Sequence, residues 1–107
     1  MNENDNCQVD PLEKPLDRDA LSTAMVAYLA IGGMGCPRCA MRVRNGLLGI
    51  DGVLLVEVQL EQGIAAAAYD PKRVTHSDLV AAVVGAGDDG RHRYQAEFIK
   101  QVPIEGA

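Results

Sequence analysis

The chain of 107 residues contains no tryptophan, only three tyrosines and a single phenylalanine. Surfaces that stack nucleic-acid bases are built from aromatic side chains on a basic background, and this sequence offers neither in quantity. We therefore expect no nucleic-acid partner. Because 48% of the residues are nevertheless hydrophobic, the core must consist mainly of small aliphatic side chains. The length limits the chain to one domain of modest size, which excludes a large self-contained enzyme.

Long hydrophobic runs are also lacking. No stretch approaches the roughly 18 apolar residues that a membrane-spanning helix requires, and no signal-peptide pattern opens the chain. The sequence therefore predicts a cytoplasmic protein that does not insert into a membrane. There are three cysteines, and an odd number in a reducing compartment argues against a disulfide framework. Metal binding and redox chemistry are the roles left for the thiols.

Negative charge is concentrated at the start of the chain. The net charge is -5, and residues 1–24 carry six acidic side chains against two basic ones. The remainder is nearly neutral, with nine acidic and eight basic side chains. Pro11 and Pro15 interrupt the acidic segment, which has little apolar surface to offset the entropy of ordering. We therefore predict a flexible acidic tail over residues 1–24, a folded domain over residues 25–102 and a C-terminal tail over residues 103–107.

Two cysteines stand three positions apart where an apolar stretch ends and a helical pattern begins. Pro37 suits the first turn of that helix, whose positive N-terminus favours thiolate, the metal-binding form of cysteine. Two thiolates on one turn suit a soft d10 ion with two or three sulfur ligands, whereas a closed structural zinc site requires four ligands. We therefore predict Cys36 and Cys39 as metal ligands. Cys39, in the first helical turn, should be the fixed ligand, and Cys36, on the loop, the mobile one.

Hydrophobic patterning predicts four strands and two helices. The strands are expected at residues 25–31, 53–60, 64–69 and 94–102, and the helices after Pro37 and after Thr75. Thr75 and Asp78 have the spacing of a capping box at the start of the second helix. The order βαββαβ predicts an α+β fold of the ferredoxin-like type, a four-stranded antiparallel sheet with both helices on one face. Such a domain should fold without metal.

The residues around the cysteines extend the motif and its spacing. The longer pattern consists of Gly33-Met34-x-Cys36-x-x-Cys39, then Val43, Leu47, Ile50 and Gly52-Val53, then Tyr69-Asp70-Pro71 and Val74-Thr75. In this pattern the chain resembles the heavy-metal-associated domain family, which includes soft-metal chaperones and N-terminal modules of metal-pumping ATPases and mercuric reductases. The resemblance covers about residues 25–102. It implies that Met34 packs under the loop rather than binding metal.

The resemblance further implies a non-enzymatic protein that binds one soft metal ion and transfers it to a metal-accepting domain, such as that of a metal-transporting ATPase. Cu(I) is the first expectation, and Zn(II), Cd(II) and Hg(II) are the alternatives found in the family. The sequence leaves open whether a metal ion bridges two copies in a dimer. The segment 85–93 departs from the family pattern because it is longer and more polar. Asp88, His92 and Tyr94 are candidates for the side chain nearest the metal, and Cys7 is a candidate third thiolate.

Two other function classes compete with metal transfer. The cysteine spacing also suits a thiol–disulfide enzyme with Cys36 as nucleophile and Cys39 as resolving thiol. Alternatively, the acidic tail could carry the output of a metal-sensing interaction module. We favour metal binding because only that function also explains the residues flanking the cysteines.

Basic side chains near the two predicted helix starts allow predictions about partner attraction and about exposure. Arg38, Arg42 and Arg44 should attract an acidic face of a partner, with a steering effect that fades as salt rises. His76 stands at the start of the second helix, where a positive charge is disfavoured, and we expect it at the surface.

Overall fold

The computed structural model describes residues 11–15, 18–35, 37–87 and 94–104. In chain order the elements are α1 Arg18–Leu21, β1 Met25–Gly32, α2 Pro37–Leu48, β2 Val53–Gln59, β3 Ile64–Tyr69, α3 His76–Ala86 and β4 Gln95–Pro103. The predicted order βαββαβ is confirmed from β1 onward, and each strand boundary lies within one residue of its expected position. The expectation of two helices missed α1, a single helical turn just before β1.

The four strands form one sheet in the order β2-β3-β1-β4, and every neighbouring pair is antiparallel. Helix α2 packs against β2, helix α3 packs against β4, and the two helices contact each other. Both therefore cover the same face of the sheet, which confirms the ferredoxin-like α+β fold. In the described part of the chain, no helix is both long and apolar enough to cross a membrane.

The core between sheet and helices is small and aliphatic, as the shortage of aromatic residues predicts. Alternate residues of β1 and β3 point into it, and the helices contribute one apolar stripe each. Its fully buried members include Ala27, Leu29, Ala65, Ala67, Val43, Leu47, Leu79 and Val83. Burying one Val or Leu side chain contributes about 1.5–3 kcal/mol, so these positions supply much of the driving force for folding.

Helix α3 begins with the predicted capping box. The Asp78 amide donates to Thr75 Oγ1 at 3.1 Å, and the Thr75 amide donates to Asp78 Oδ2 at 3.0 Å. These two bonds satisfy backbone N–H groups that have no acceptor within the helix. The start of α3 is thus determined by residues three positions apart.

Residues 11–15, which fall within the predicted tail, contact α2. The Leu12 amide donates to Asn45 Oδ1 at 2.9 Å, and Arg44 Nη1 donates to the Leu12 carbonyl at 3.0 Å. The Asn45 side chain that accepts this bond is partly buried. The structure therefore differs from the expectation of a tail without fixed contacts.

Lys14 makes the most extensive of these contacts. Its ammonium donates to the carbonyls of Leu48 at 2.9 Å, Ile50 at 2.9 Å and Val53 at 2.7 Å. The last turn of α2 contains no basic residue, so its final carbonyls lack the cation that commonly stabilises a helix C-terminus. Lys14 supplies that cation from more than 30 residues away in sequence. Burial lowers the pKa of Lys14, and the nearby Asp51 carboxylate opposes this shift.

Candidate metal-binding site

The loop between β1 and α2 begins at Gly33. Gly33 has φ of 98°, a backbone conformation that side-chain-bearing residues rarely adopt, so glycine is needed here. Met34 follows and packs, partly buried, against the core. This agrees with the expectation that Met34 is a packing residue. The loop then leads to Pro37, which begins α2 as predicted.

Cys39 is the third residue of α2 and is 2% exposed. It belongs to the hydrophobic core cluster together with Val43 and Leu47 from the following turns. The prediction that Cys39 lies in the first helical turn is confirmed. Because neighbouring core side chains are close-packed, the position of its sulfur is set by the core rather than by the loop.

The electrostatics of this helix start favour an anion. The first turn of α2 contains no acidic residue, and the backbone N–H groups there carry the positive end of the helix dipole. Arg38 in the same turn is exposed. A thiolate in this turn therefore meets no carboxylate from the turn itself, and the helix dipole favours its negative charge.

The other predicted ligand cannot be placed in the same way. Cys36 lies outside the described residues, as does Cys7. Within the ranges that the structure describes, no three His, Cys, Asp or Glu side chains are grouped so that they could share a metal ion. The ligand pair therefore depends on the observed position of Cys39 and on the sequence spacing for Cys36.

Tyr94 lies at the same end of the sheet as the Gly33 loop. Gly32 pairs with Gln95, so the residues that flank this pair, Gly33 and Tyr94, meet at that edge. Tyr94 is 2% exposed, and a Cβ on Gly87 would lie only 2.7 Å from its ring. The end of α3 is thus packed against the tyrosine. Of the three candidates for the metal's neighbour, Tyr94 is at this end, whereas Asp88 and His92 lie outside the described residues.

The three arginines of α2 do not form one equivalent set. Arg38 is exposed, whereas Arg42 and Arg44 are partly buried. Arg44 Nη1 donates to the Leu12 carbonyl and, at 3.2 Å, to Asn45 Oδ1. Arg38 is therefore the arginine best placed to meet a partner beside the first turn of α2.

His76 differs from its expected surface location, because its ring is half-buried in a polar cluster. The ring stacks on Phe98 with a centroid separation of 3.8 Å, and Nε2 lies 2.7 Å from Gln101 Oε1 and 3.2 Å from the Tyr69 hydroxyl. The Tyr69 hydroxyl itself donates to Gln101, and burial raises the pKa of Tyr69. Tyr69 pairs with Met25 at the start of β1, so this cluster lies at the opposite end of the sheet from the Gly33 loop.

Comparison with known proteins agrees with this geometry. The model of the heavy-metal-associated domain matches residues 29–89. The copper chaperone CopZ of Staphylococcus aureus is 38% identical over 61 residues, which are 57% of this chain and 90% of that protein. The solved copper chaperone of Enterococcus hirae, in its apo form, superposes with a TM-score of 0.60 at 30% identity, covering 68% of this chain and 98% of that one. The N-terminal domain of a potential copper-translocating P-type ATPase from Bacillus subtilis, in its Cu(I)-loaded state, superposes with a TM-score of 0.64 at 29% identity, covering 74% and 91%. This chain belongs to the heavy-metal-associated domain family.

Proposed function

We propose that this chain binds one Cu(I) ion through the thiolates of Cys36 and Cys39 and delivers it to a metal-accepting domain. The observation that carries the proposal is the position of Cys39, buried in the first turn of α2 beside the loop that leads from β1. Relatives named as copper chaperones and a relative studied with Cu(I) bound support copper as the cargo. The protein acts as a carrier, not as a catalyst.

The proposed transfer is a ligand exchange without a change of oxidation state. A thiolate of the acceptor forms a new bond to Cu(I) while the bond to Cys36 breaks, and the bond to Cys39 breaks in a second exchange. The released thiolates can then take up protons from solvent. A low coordination number leaves space for the incoming sulfur. Core packing keeps Cys39 in place during the first step, and the N-terminus of α2 stabilises the negative charge of the dithiolate complex.

The acceptor that fits this role is the metal-binding domain of a metal-transporting ATPase. The similarity to the Bacillus subtilis ATPase domain supports this choice, because donor and acceptor would share one fold and one type of site. Arg38, exposed beside the first turn of α2, is suited to attract an acidic acceptor surface. We further propose that this exchange takes place in the cytoplasm and that residues 25–102 form the metal-carrying domain.

The decisive test is a titration of the reduced full-length protein with Cu(I), Zn(II), Cd(II) and Hg(II) in competition with chelators of known affinity. We expect tight one-to-one binding with preference for Cu(I). Cys36→Ser and Cys39→Ser should each abolish competitive binding, because each leaves only one thiolate of the proposed pair. A stronger preference for Zn(II) or Cd(II) would show that the bound ion is that metal and not Cu(I). Absence of competitive binding to all four ions would favour the thiol–disulfide or interaction-module alternatives.

Cys7 provides both a matched control and a test of the candidate third thiolate. Cys7→Ser makes the same chemical change as the other two variants, but the proposed pair stays intact. If Cys7 contributes a third bond, Cys7→Ser and deletion of residues 1–10 should weaken Cu(I) binding to the same extent. Neither change removes Leu12 or Lys14, which contact α2. Unchanged affinity in both variants would show that two thiolates suffice.

A further inference from the structure

On the face of the sheet opposite α2 and α3, the central strands β3 and β1 carry apolar side chains, whereas the edge strands β2 and β4 carry polar ones such as Glu57, Gln59 and Glu97. An antiparallel sheet with one solvated face normally carries polar side chains on that side. Here strand β3 reads Ile-Ala-Ala-Ala-Ala-Tyr, so it is apolar on both faces. The residues that face away from the helices include Val26, Tyr28, Ala30, Ile64, Ala66 and Ile99. Ile99, at a bulge in β4, is 49% exposed. Such a surface is typical of an interaction site.

The middle of this face forms an open groove of about 480 Å³. Strand register places four of its residues in one row across the sheet, since Glu57 pairs with Ala66, Ala66 with Tyr28, and Tyr28 with Lys100. Glu57 lies on the edge strand β2 and Lys100 on the opposite edge strand β4. The Lys100 ammonium lies over the Tyr28 ring, 5.3 Å from its centroid. The row therefore has an acid at one end, a base at the other and an apolar centre.

We propose that this face binds the same face of a second copy of the chain. The two copies are related by a two-fold axis that runs parallel to the strands and passes between β3 and β1. That rotation places β2 against β4 of the second copy and β3 against β1. Glu57 then lies opposite Lys100 of the second copy, and Tyr28 lies opposite Ala66, a large side chain against a small one. Because the interface is isologous, each contact occurs twice. Charge and size are both self-complementary in this orientation.

The alternative two-fold axis, perpendicular to the strands, does not bring opposite charges together. It would place β2 against β2 and bring Glu57 opposite Glu57 of the second copy, where like charges repel. The row of charges therefore selects one of the two ways in which the sheets can stack. Natural sheet twist would set the strands of the two copies at about 30° to each other.

The size of the face indicates a weak, reversible dimer. Four strands about 4.8 Å apart and about six residues long, at about 3.3 Å per residue, give a footprint of roughly 400 Å² per copy. The total of roughly 800 Å² is below the 1,200 Å² or so of stable complexes and falls in the transient class. The Gly33 loop and the first turn of α2 stay outside the interface, because α2 covers the other face. This dimer is therefore distinct from a metal-bridged one and forms without metal.

The test is analytical ultracentrifugation of the full-length protein, reduced and in the presence of a metal chelator, from about 10 μM to about 1 mM to cover transient association. We expect the average mass to rise with concentration. Glu57→Lys and Lys100→Glu should each raise the dimer dissociation constant about tenfold, because each reversal creates two repulsive contacts. The double variant restores both ion pairs and should recover the original dissociation constant.

Lys72→Glu is the matched control, since Lys72 is exposed in the turn after β3 and makes the same change of charge. It should leave dimerisation unchanged, and circular dichroism should show that all variants are folded. Lys100→Glu also removes the contact with Tyr28, so the decisive comparison is Glu57→Lys with and without Lys100→Glu. A monomer at every concentration, a dimer that requires metal, or a double variant no tighter than Glu57→Lys would overturn the proposal.

Discussion

Replacing Lys14 with methionine tests whether the segment before β1 is part of the folded domain. Methionine keeps most of the apolar stem but removes the ammonium that donates to the carbonyls of Leu48, Ile50 and Val53. Two of these three contacts are partly buried. The substitution therefore removes the cation beside the end of α2 and the side-chain donor to the Leu48 carbonyl and to two carbonyls that follow the helix, while the volume near β2 changes little.

The expected loss of stability follows from these contacts. A shielded hydrogen bond to a charged group contributes about 1.5–3 kcal/mol, but the Lys14 side chain is exposed and water can reach the freed carbonyls. We therefore expect all three bonds together to contribute about 1–2 kcal/mol. For a domain of this size, each kcal/mol lowers the melting temperature by about 4–8 °C.

Urea unfolding of the metal-free, reduced protein would measure the difference. Lys72→Met is the control, because it removes a lysine that is exposed in the turn after β3, and we expect a change within about 0.5 kcal/mol. Deleting residues 1–10 should cost little, whereas deleting residues 1–15 should cost at least as much as Lys14→Met. Equal stability of Lys14→Met and Lys72→Met would refute the reasoning. It would show that the contacts of Lys14 do not stabilise the folded domain.

Three further substitutions test other parts of the fold by urea unfolding. Gly87→Ala should destabilise by about 1–3 kcal/mol, because its Cβ would overlap the Tyr94 ring and backbone; an unchanged midpoint would contradict that packing. Thr75→Ala should cost about 1 kcal/mol through loss of the capping box, whereas Ser77→Ala in the same helix should cost less than about 0.5 kcal/mol. Burial raises the pKa of Tyr69 above its ordinary value of 10.0. The folded state thus holds that proton more tightly than the unfolded state. The contribution of Tyr69 to the free energy of unfolding is therefore complete below about pH 10 and falls as pH rises further. Tyr69→Phe should reduce this loss of stability at alkaline pH. An identical pH profile of stability would contradict the raised pKa of the Tyr69 hydroxyl.

The features that could be predicted from the sequence are those determined by residues close together in the chain. The start of α3 depends on Thr75 and Asp78, three positions apart, and Pro37 marks the start of α2. The hairpin between β2 and β3 turns at Gly63, whose φ of 66° is typical of glycine. Hydrophobic periodicity supplied the rest of the element order, because sheet and helix faces must be apolar at regular intervals.

The features that the sequence did not predict involve distant residues. Lys14 contacts carbonyls 34 to 39 positions away, and His76 contacts Gln101 over 25 positions. A polar side chain that bonds to a distant backbone or amide group leaves no periodic pattern, so only the folded chain shows the pair. At the candidate metal site, the helical pattern predicted the position of Cys39 in the first turn of α2. The polar, glycine-rich segment 85–93 has no period from which the neighbour of the metal could be identified.

The burial of Cys39 makes its thiol a chemical reporter of local opening. Alkylating reagents need direct access to sulfur, and a side chain that is 2% exposed in the metal-free chain should react faster when the first turn of α2 separates from the core. Its alkylation rate, divided by that of an unfolded thiol, measures the population of the opened state when closing is fast. The free energy obtained in this way for the first turn can be compared with that of global unfolding. A difference between them would show that the end of α2 carrying the proposed ligand opens independently of the rest of the domain.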